Sequence, residues 1–267
     1  MRGIVLNYLV LGHTGFIGNA VVEHLTSHRQ KVHFVESRLI PGGVRDIIEM
    51  NSDTKTVVIN CVASGVTPNS GSPHTNSQTN VQLATEIVQC SLDNHVQGII
   101  HFASHYELSK NIVVPESRSS YINTKIRASD FCKERIESGA NLKLIYLPTI
   151  IGSKQPKGRL FRDFVECAMK EQVFFVKYPN TEIELQTVDS LLAGLDLLSD
   201  QFMGGVIQLQ GEVKTTVKNY LIFLNSLMNE LGFSRVVLEN VPTGDEITEF
   251  SRQFRLECLD YIKRMTA

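Results

Sequence analysis

The stretch Gly12-His13-Thr14-Gly15-Phe16-Ile17-Gly18, "GHTGFIG", follows directly on the apolar run Tyr8-Leu9-Val10-Leu11 and carries a glycine at every third position. The apolar run reads as a buried strand, and Phe16, Ala20 and Val21 open a segment of helical spacing. The glycines therefore stand at a strand-to-helix turn. Missing β-carbons let the chain bend there and let a ligand approach the backbone, while the first helical turn offers unpaired amides and the positive end of the helix dipole. Such a turn suits a pyrophosphate, lined by Gly12, Thr14, Gly15, Phe16, Ile17 and Gly18. It equally suits tight strand–helix packing, because the spacing is GxxGxxG and not the GxGxxG of the usual dinucleotide loop.

Beyond this turn, short apolar runs at Val57–Cys61, Ile99–Ala103 and Leu144–Leu147 alternate with segments of helical period. That alternation predicts an α/β fold, a Rossmann-type doubly wound parallel sheet covered on both faces. At the end of the second strand, "VHFVESR" sets Glu36 about twenty residues past the glycines, where a carboxylate accepts hydrogen bonds from ribose hydroxyls and favours NAD. Ser37 and Arg38 follow at once, and a hydroxyl plus a guanidinium suits the 2′-phosphate of NADP. The following "RLIPGG" leaves little room for a separate third strand.

After Pro148 the alternation weakens. Residues 1–150 are expected to form the dinucleotide-binding domain, with 186–204 returning to it, and 151–185 with 205–267 a smaller, mostly helical substrate lobe.

The chain has 267 residues, 42% of them hydrophobic, enough to bury a full core. With 26 basic and 28 acidic residues its net charge of −2 offers no footprint for nucleic acid and no basic block for a membrane surface. The apolar stretch Ile4–Leu11 is too short to span a bilayer. Five scattered cysteines without a CxxC pair point to neither a zinc site nor a disulfide framework, so a cytoplasmic setting and no metal are expected.

In "SYINTK", Tyr121 and Lys125 lie four apart, on one face of a helix. A nearby cation lowers a phenol's pKa, and such a phenol can pass a proton to or from a substrate oxygen. Ser104 ends the strand that precedes this helix, and ligands of open α/β sheets bind beyond the carboxyl ends of strands. Asn80, at the start of the helix before that strand, reads equally as a helix-start polar residue or as part of the site. His101 reads as a core or strand-end histidine and His105 as a substrate contact. No GxSxG elbow or metal-ligand spacing involves them.

With "GHTGFIG", "VINCVAS", Asn80, Ser104, "YINTK", "LPTIIG" and "QTVDSLLAGL" in this order, the chain resembles the extended short-chain dehydrogenase/reductases, the NAD-dependent epimerase/dehydratase family. The resemblance implies NAD or NADP as cofactor, with Gly12, Gly15 and Gly18 on the pyrophosphate and Ala63 and Pro148 beside the cofactor. Tyr121 would be the catalytic acid/base and Lys125 would lower its pKa and hold the nicotinamide ribose. Ser104 would polarise the substrate oxygen and Asn80 support a proton relay.

"IIHFASHYEL" and "VINCVAS" look most like the dTDP-4-dehydrorhamnose reductase branch, which implies reduction of a 4-keto-6-deoxy nucleotide sugar. The alternatives are a nucleotide-sugar epimerase with tightly held NAD and a non-catalytic dinucleotide-sensing protein. His105 and Tyr106 replace the Asp-Glu pair that dehydratases of the family carry after the hydroxyl residue, which argues against dehydration. Only 17 residues separate Ser104 from Tyr121, fewer than is usual for the family. Arg159, Phe161 and Lys177 are expected near the substrate, and the helices beginning near Asn80 and Tyr121 are expected to form a homodimer interface.

Overall fold

In the computed structural model, which describes residues 6–35, 39–67, 71–108, 116–200, 202–241 and 249–267, the run before the glycine turn is a strand whose Leu9, Val10 and Leu11 are wholly enclosed. The chain begins β1 (Asn7–Leu11), α1 (Phe16–Ser27), β2 (Lys31–Phe34), α2 (Val44–Asn51) and β3 (Thr56–Asn60). It continues with α3 (Pro73–Asn76), a π-helical segment (Ser77–Leu83), α4 (Ala84–Asp93), β4 (Gly98–Ser104), a 3₁₀ turn (His105–Glu107), α5 (Glu116–Glu137) and β5 (Leu142–Leu147). Then come β6 (Thr149–Ile151), α6 (Leu160–Met169), β7 (Phe174–Phe175), β8 (Glu182–Thr187), α7 (Val188–Asp200) and β9 (Gly205–Gln208). The last elements are β10 (Val213–Thr216), α8 (Val217–Glu230), β11 (Leu238–Glu239) and α9 (Arg252–Thr266).

Six strands form one parallel sheet in the order β2-β1-β3-β4-β5-β9. Parallel neighbours need long crossovers, and the helices between them cover both faces. That is why β3 and β5 read as largely apolar runs and are buried along their whole length. Leu9, Leu11 and Val58 pack against Val44 and Ile48 of α2 and Ile87 and Cys90 of α4. Ile99, Ala103, Leu142, Leu144 and Tyr146 pack with Val88 of α4 and Cys132 of α5.

The strand order reverses between β1 and β3. From β1 the chain moves to the edge strand β2, then crosses back through α2 to the other side of β1. Among the described residues no strand lies outside β2, in keeping with the short "RLIPGG" segment. In open α/β sheets the crevice beyond such a reversal is where ligands bind.

The chain divides into two compact units, the first of residues 1–147 and 192–209, the second of 148–191 and 210–267. These boundaries correct the sequence-based ones. Gly205–Gln208 belongs to the large sheet because it pairs in register with Lys143–Tyr146 of β5. Residues 186 and 187 belong to the second unit because β8 pairs there with β6 and β10. In that unit α6, α8 and α9 supply most of the regular structure, together with the three-stranded sheet β10-β8-β6 and the small pair β11-β7.

Candidate active site

The glycine turn is built by close backbone approach. Gly12 has φ +86°, a left-handed conformation, and a β-carbon there would lie 2.9 Å from the Cys61 carbonyl carbon. A β-carbon on Gly18 would fall 2.2 Å from the Gly12 carbonyl oxygen, so α1 can rest this closely on the turn only with glycine at 18. Gly15 caps α1 in extended conformation and offers no side-chain acceptor to the helix amides. Thr14 and Gly15 are exposed, and Phe16 and Ile17 are half-buried. Open amides at the end of a 12-residue helix, with no β-carbon in the way, fit a dinucleotide pyrophosphate. The His13 ring lies 4.8 Å from that of Phe34 at the end of β2, a contact the sequence did not suggest. Glu36, Ser37 and Arg38 lie outside the described residues.

Across the reversal, the loop after β3 presents Ala63 to solvent and is tied down by Asn80. Asn80 Oδ1 accepts from the Ser64 amide at 2.8 Å, while Nδ2 donates to the Ser64 carbonyl at 2.9 Å and to Thr124 Oγ1 at 3.0 Å. Thr124 in turn donates to the Tyr121 carbonyl at 2.8 Å. Both amide protons of Asn80 are thereby committed. Asn80 joins the loop carrying Ala63 to the turn of α5 carrying Tyr121. Asn80 sits in the π-helical segment, a local widening of the helix that often marks functional positions.

Tyr121 is half-buried on α5, and Lys125, one turn on, is buried. The Lys125 ammonium donates to the Phe102 carbonyl at 2.7 Å and so reaches β4 two residues before Ser104. Burial pushes this ammonium below its usual pKa, and the Glu107 carboxylate partly holds it up. Ser104 is half-buried at the end of β4, and its Oγ accepts from the Tyr106 amide at 3.3 Å, which leaves its hydroxyl proton to donate.

Glu107 went unmarked in the sequence. Its Oε1 accepts from the Ser104 amide at 2.7 Å, and its Oε2 accepts from Ser129 Oγ of α5. Burial raises its pKa, against the opposing pull of Lys125 and of the bonds from Ser129 and Ser104. The available signal was a serine followed three residues later by glutamate, which reads as a capping box.

His101 is buried at the middle of β4, with Nδ1 3.0 Å from Asn60 Nδ2. His105 is half-buried directly after Ser104. In the second unit, Pro148 is buried between β5 and β6, and Arg159 is half-buried as the N-cap of α6. Phe161 is only 1% exposed and packs edge-on against Tyr261, so the substrate contact expected of it is corrected to a core role. Lys177 is exposed beside the Tyr178 ring. Asp189 accepts from the Tyr261 hydroxyl at 3.0 Å and ties α9 to the start of α7. Among the described residues no cluster of His, Cys, Asp or Glu could hold a metal ion, and no helix is long and apolar enough to cross a membrane.

The model of the NAD dependent epimerase/dehydratase family matches residues 8–183, which include the glycine turn, Asn80, Ser104, Tyr121 and Lys125. The chain belongs to this family. A search of curated proteins gives no match to its sequence. Among solved structures, the family fold is shared with UDP-glucose 4-epimerase from Thermotoga maritima, at 15% identity and TM-score 0.79 over 98% of this chain and 99% of that one. UDP-N-acetylglucosamine 4-epimerase from Methanobrevibacter ruminantium is similar at 15% identity and TM-score 0.77, over 100% of this chain and 99% of that one. UDP-glucuronic acid 4-epimerase from Bacillus cereus, solved with UDP-glucuronic acid and NAD, is similar at 14% identity and TM-score 0.76, over 97% of this chain and 100% of that one.

Proposed function

We propose that this protein carries out NAD-dependent oxidation and reduction at C4 of a nucleotide sugar, as a 4-epimerase, with Tyr121 as the acid/base. The observation that carries the reading is the bond from Lys125 to the Phe102 carbonyl, which sets the cation one helical turn from Tyr121 and two residues from Ser104. NAD, when bound, would accept a hydride from the sugar carbon and return it.

The residues of the chain do the rest. The amides at the start of α1 and the bare turn at Gly12, Gly15 and Gly18 would hold the pyrophosphate, with Ala63 and Pro148 beside the cofactor. Glu36 would favour NAD, and Ser37 with Arg38 would admit NADP. Tyr121 would take the proton of the C4 hydroxyl and give it back, eased by the positive charge of Lys125. The Ser104 hydroxyl would donate to the same oxygen and stabilise its developing charge. Lys125 has two further N–H donors, which suit a ribose hydroxyl. His105 and Arg159 remain candidates for substrate contact, and a homodimer through α4 and α5 is the expected assembly.

A second reading, reduction of a 4-keto-6-deoxy nucleotide sugar, is favoured by the order Ser104-His105-Tyr106 at the end of β4. One experiment separates the two. Purified protein with NAD is given UDP-glucose, UDP-N-acetylglucosamine and UDP-glucuronic acid, and in parallel a dTDP-4-keto-6-deoxy sugar with NADH or NADPH. Product sugars with no net change in cofactor absorbance support the epimerase, and stoichiometric loss of NAD(P)H supports the reductase. Tyr121→Phe is expected to lose at least about a hundredfold in turnover while its Kd for NAD stays within about twofold. Bound NAD without turnover of any substrate would point instead to a dinucleotide-sensing protein, and wild-type turnover in Tyr121→Phe would remove Tyr121 from the mechanism.

A further inference from the structure

We infer that Glu107 is a positioning residue whose carboxylate braces the end of β4 against α5 and thereby sets Ser104 relative to Tyr121. The inference rests on the reading of Ser104, Tyr121 and Lys125 as the reacting set.

The geometry is a two-point brace. One oxygen of Glu107 holds the Ser104 amide, and the other holds Ser129. Ser129 lies four residues after Lys125 and eight after Tyr121 on α5, about two helical turns along the same face. Lys125 makes the second tie, to the carbonyl of Phe102. The last three residues of β4 are thus gripped twice by the helix that carries Tyr121, once through an ammonium and once through a carboxylate.

A capping box alone does not account for this side chain. Glu107 is half-buried, which a glutamate that only caps a three-residue turn does not require, and a carboxylate withdrawn from water costs free energy unless it is hydrogen-bonded and balanced by charge. Here both oxygens are bonded, and the balancing charge is that of Lys125. Lys133 of α5 also faces Glu107. Lys125 is faced in addition by Cys132 of α5, Cys61 after β3 and His101 of β4. Glu107 is the carboxylate of this set. Removing its charge makes the buried ammonium harder to keep, so Lys125 loses its proton at lower pH and the alkaline limb of activity moves down with it.

The variants divide the two roles. Glu107→Ala removes the brace and the charge. Glu107→Gln keeps the brace, because its carbonyl accepts from Ser104 and its amide donates to a rotated Ser129 hydroxyl, but it removes the charge. The Ser104 amide proton, followed by NMR in the full-length protein without substrate, is expected to titrate in the wild type with a midpoint above the usual glutamate value of 4.5 and to show no such step in Glu107→Gln. On the sugar the wild type turns over, Glu107→Ala is expected to lose on the order of tenfold to hundredfold in kcat, with KM and the Kd for NAD nearly unchanged. Glu107→Gln recovers kcat at pH 7 and loses it at lower alkaline pH than the wild type. A Ser104 amide indifferent to pH between 4 and 8, or wild-type kcat in Glu107→Ala, overturns the inference. Because the amide is read without substrate, failure of the brace and failure of the nucleotide-sugar reading are separate results.

Discussion

His101 illustrates how a residue in the middle of a strand ties stability to pH. It has 1% of its surface exposed, and burial first, then the charge of Lys125, hold its imidazole well below the usual value of 6.5. A histidine kept neutral in the folded state and free to ionise when unfolded contributes stability that is complete above its unfolded pKa and is lost as pH falls toward the folded one. Urea unfolding of the wild type and His101→Gln between pH 7.5 and 5 is expected to show the wild type losing ground by up to about 1.4 kcal/mol per pH unit below 6.5. A gap that stays constant over this range would mean that His101 takes up its proton as readily in the native protein as in the unfolded chain. At this scale the sequence was uneven in what it revealed. The four-residue spacing of Tyr121 and Lys125 and the hydroxyl at the end of a strand are local patterns. The partial burial of Glu107 and its bond from Ser129 depend on α5 packing beside it, and no local pattern carries that.

At the scale of elements, the strands β1, β3, β4 and β5 were legible because strands covered on both faces carry near-continuous apolar runs. β8 was not, although Ile183 and Leu185 alternate with Glu182, Glu184 and Gln186, because the helical pattern that begins at Val188 adjoins it. The π-helical segment was likewise hidden, and with it the purpose of Asn80. Since that side chain joins the Ala63–Ser64 loop to α5 through three hydrogen bonds, Asn80→Ala is expected to cost about 3 kcal/mol in chemical unfolding. Asn80→Asp is expected to rescue little, because a carboxylate can take the Ser64 amide but has no proton for the Ser64 carbonyl or for Thr124. Full stability in Asn80→Asp would show that the two donated bonds contribute nothing.

At the scale of the whole molecule, the sequence conveyed a sheet domain interrupted by a second unit, but misplaced the seam. The strand pairing that decides it, β9 on β5, joins segments far apart in the chain, and the half-exposed run Gly205–Gln208 has too little apolar character to announce itself.

That distant pairing has a consequence for how the protein is made. When β5 leaves the ribosome its outer edge is an open row of amides and carbonyls, and the chain must first emit β6, α6, β7 and β8, which belong to the other unit, before β9 can close it. At ordinary rates of translation this leaves the edge bare for on the order of seconds. Nascent chains arrested with β5 outside the exit tunnel and β9 still inside are therefore expected to be cut by protease within the first unit, and to become resistant once Leu209 has emerged. Equal resistance at both lengths would show that the sheet closes without its last strand. For this protein the vulnerable moment of biogenesis comes in the middle of synthesis, and a holding chaperone would find its target at the newly made edge of β5.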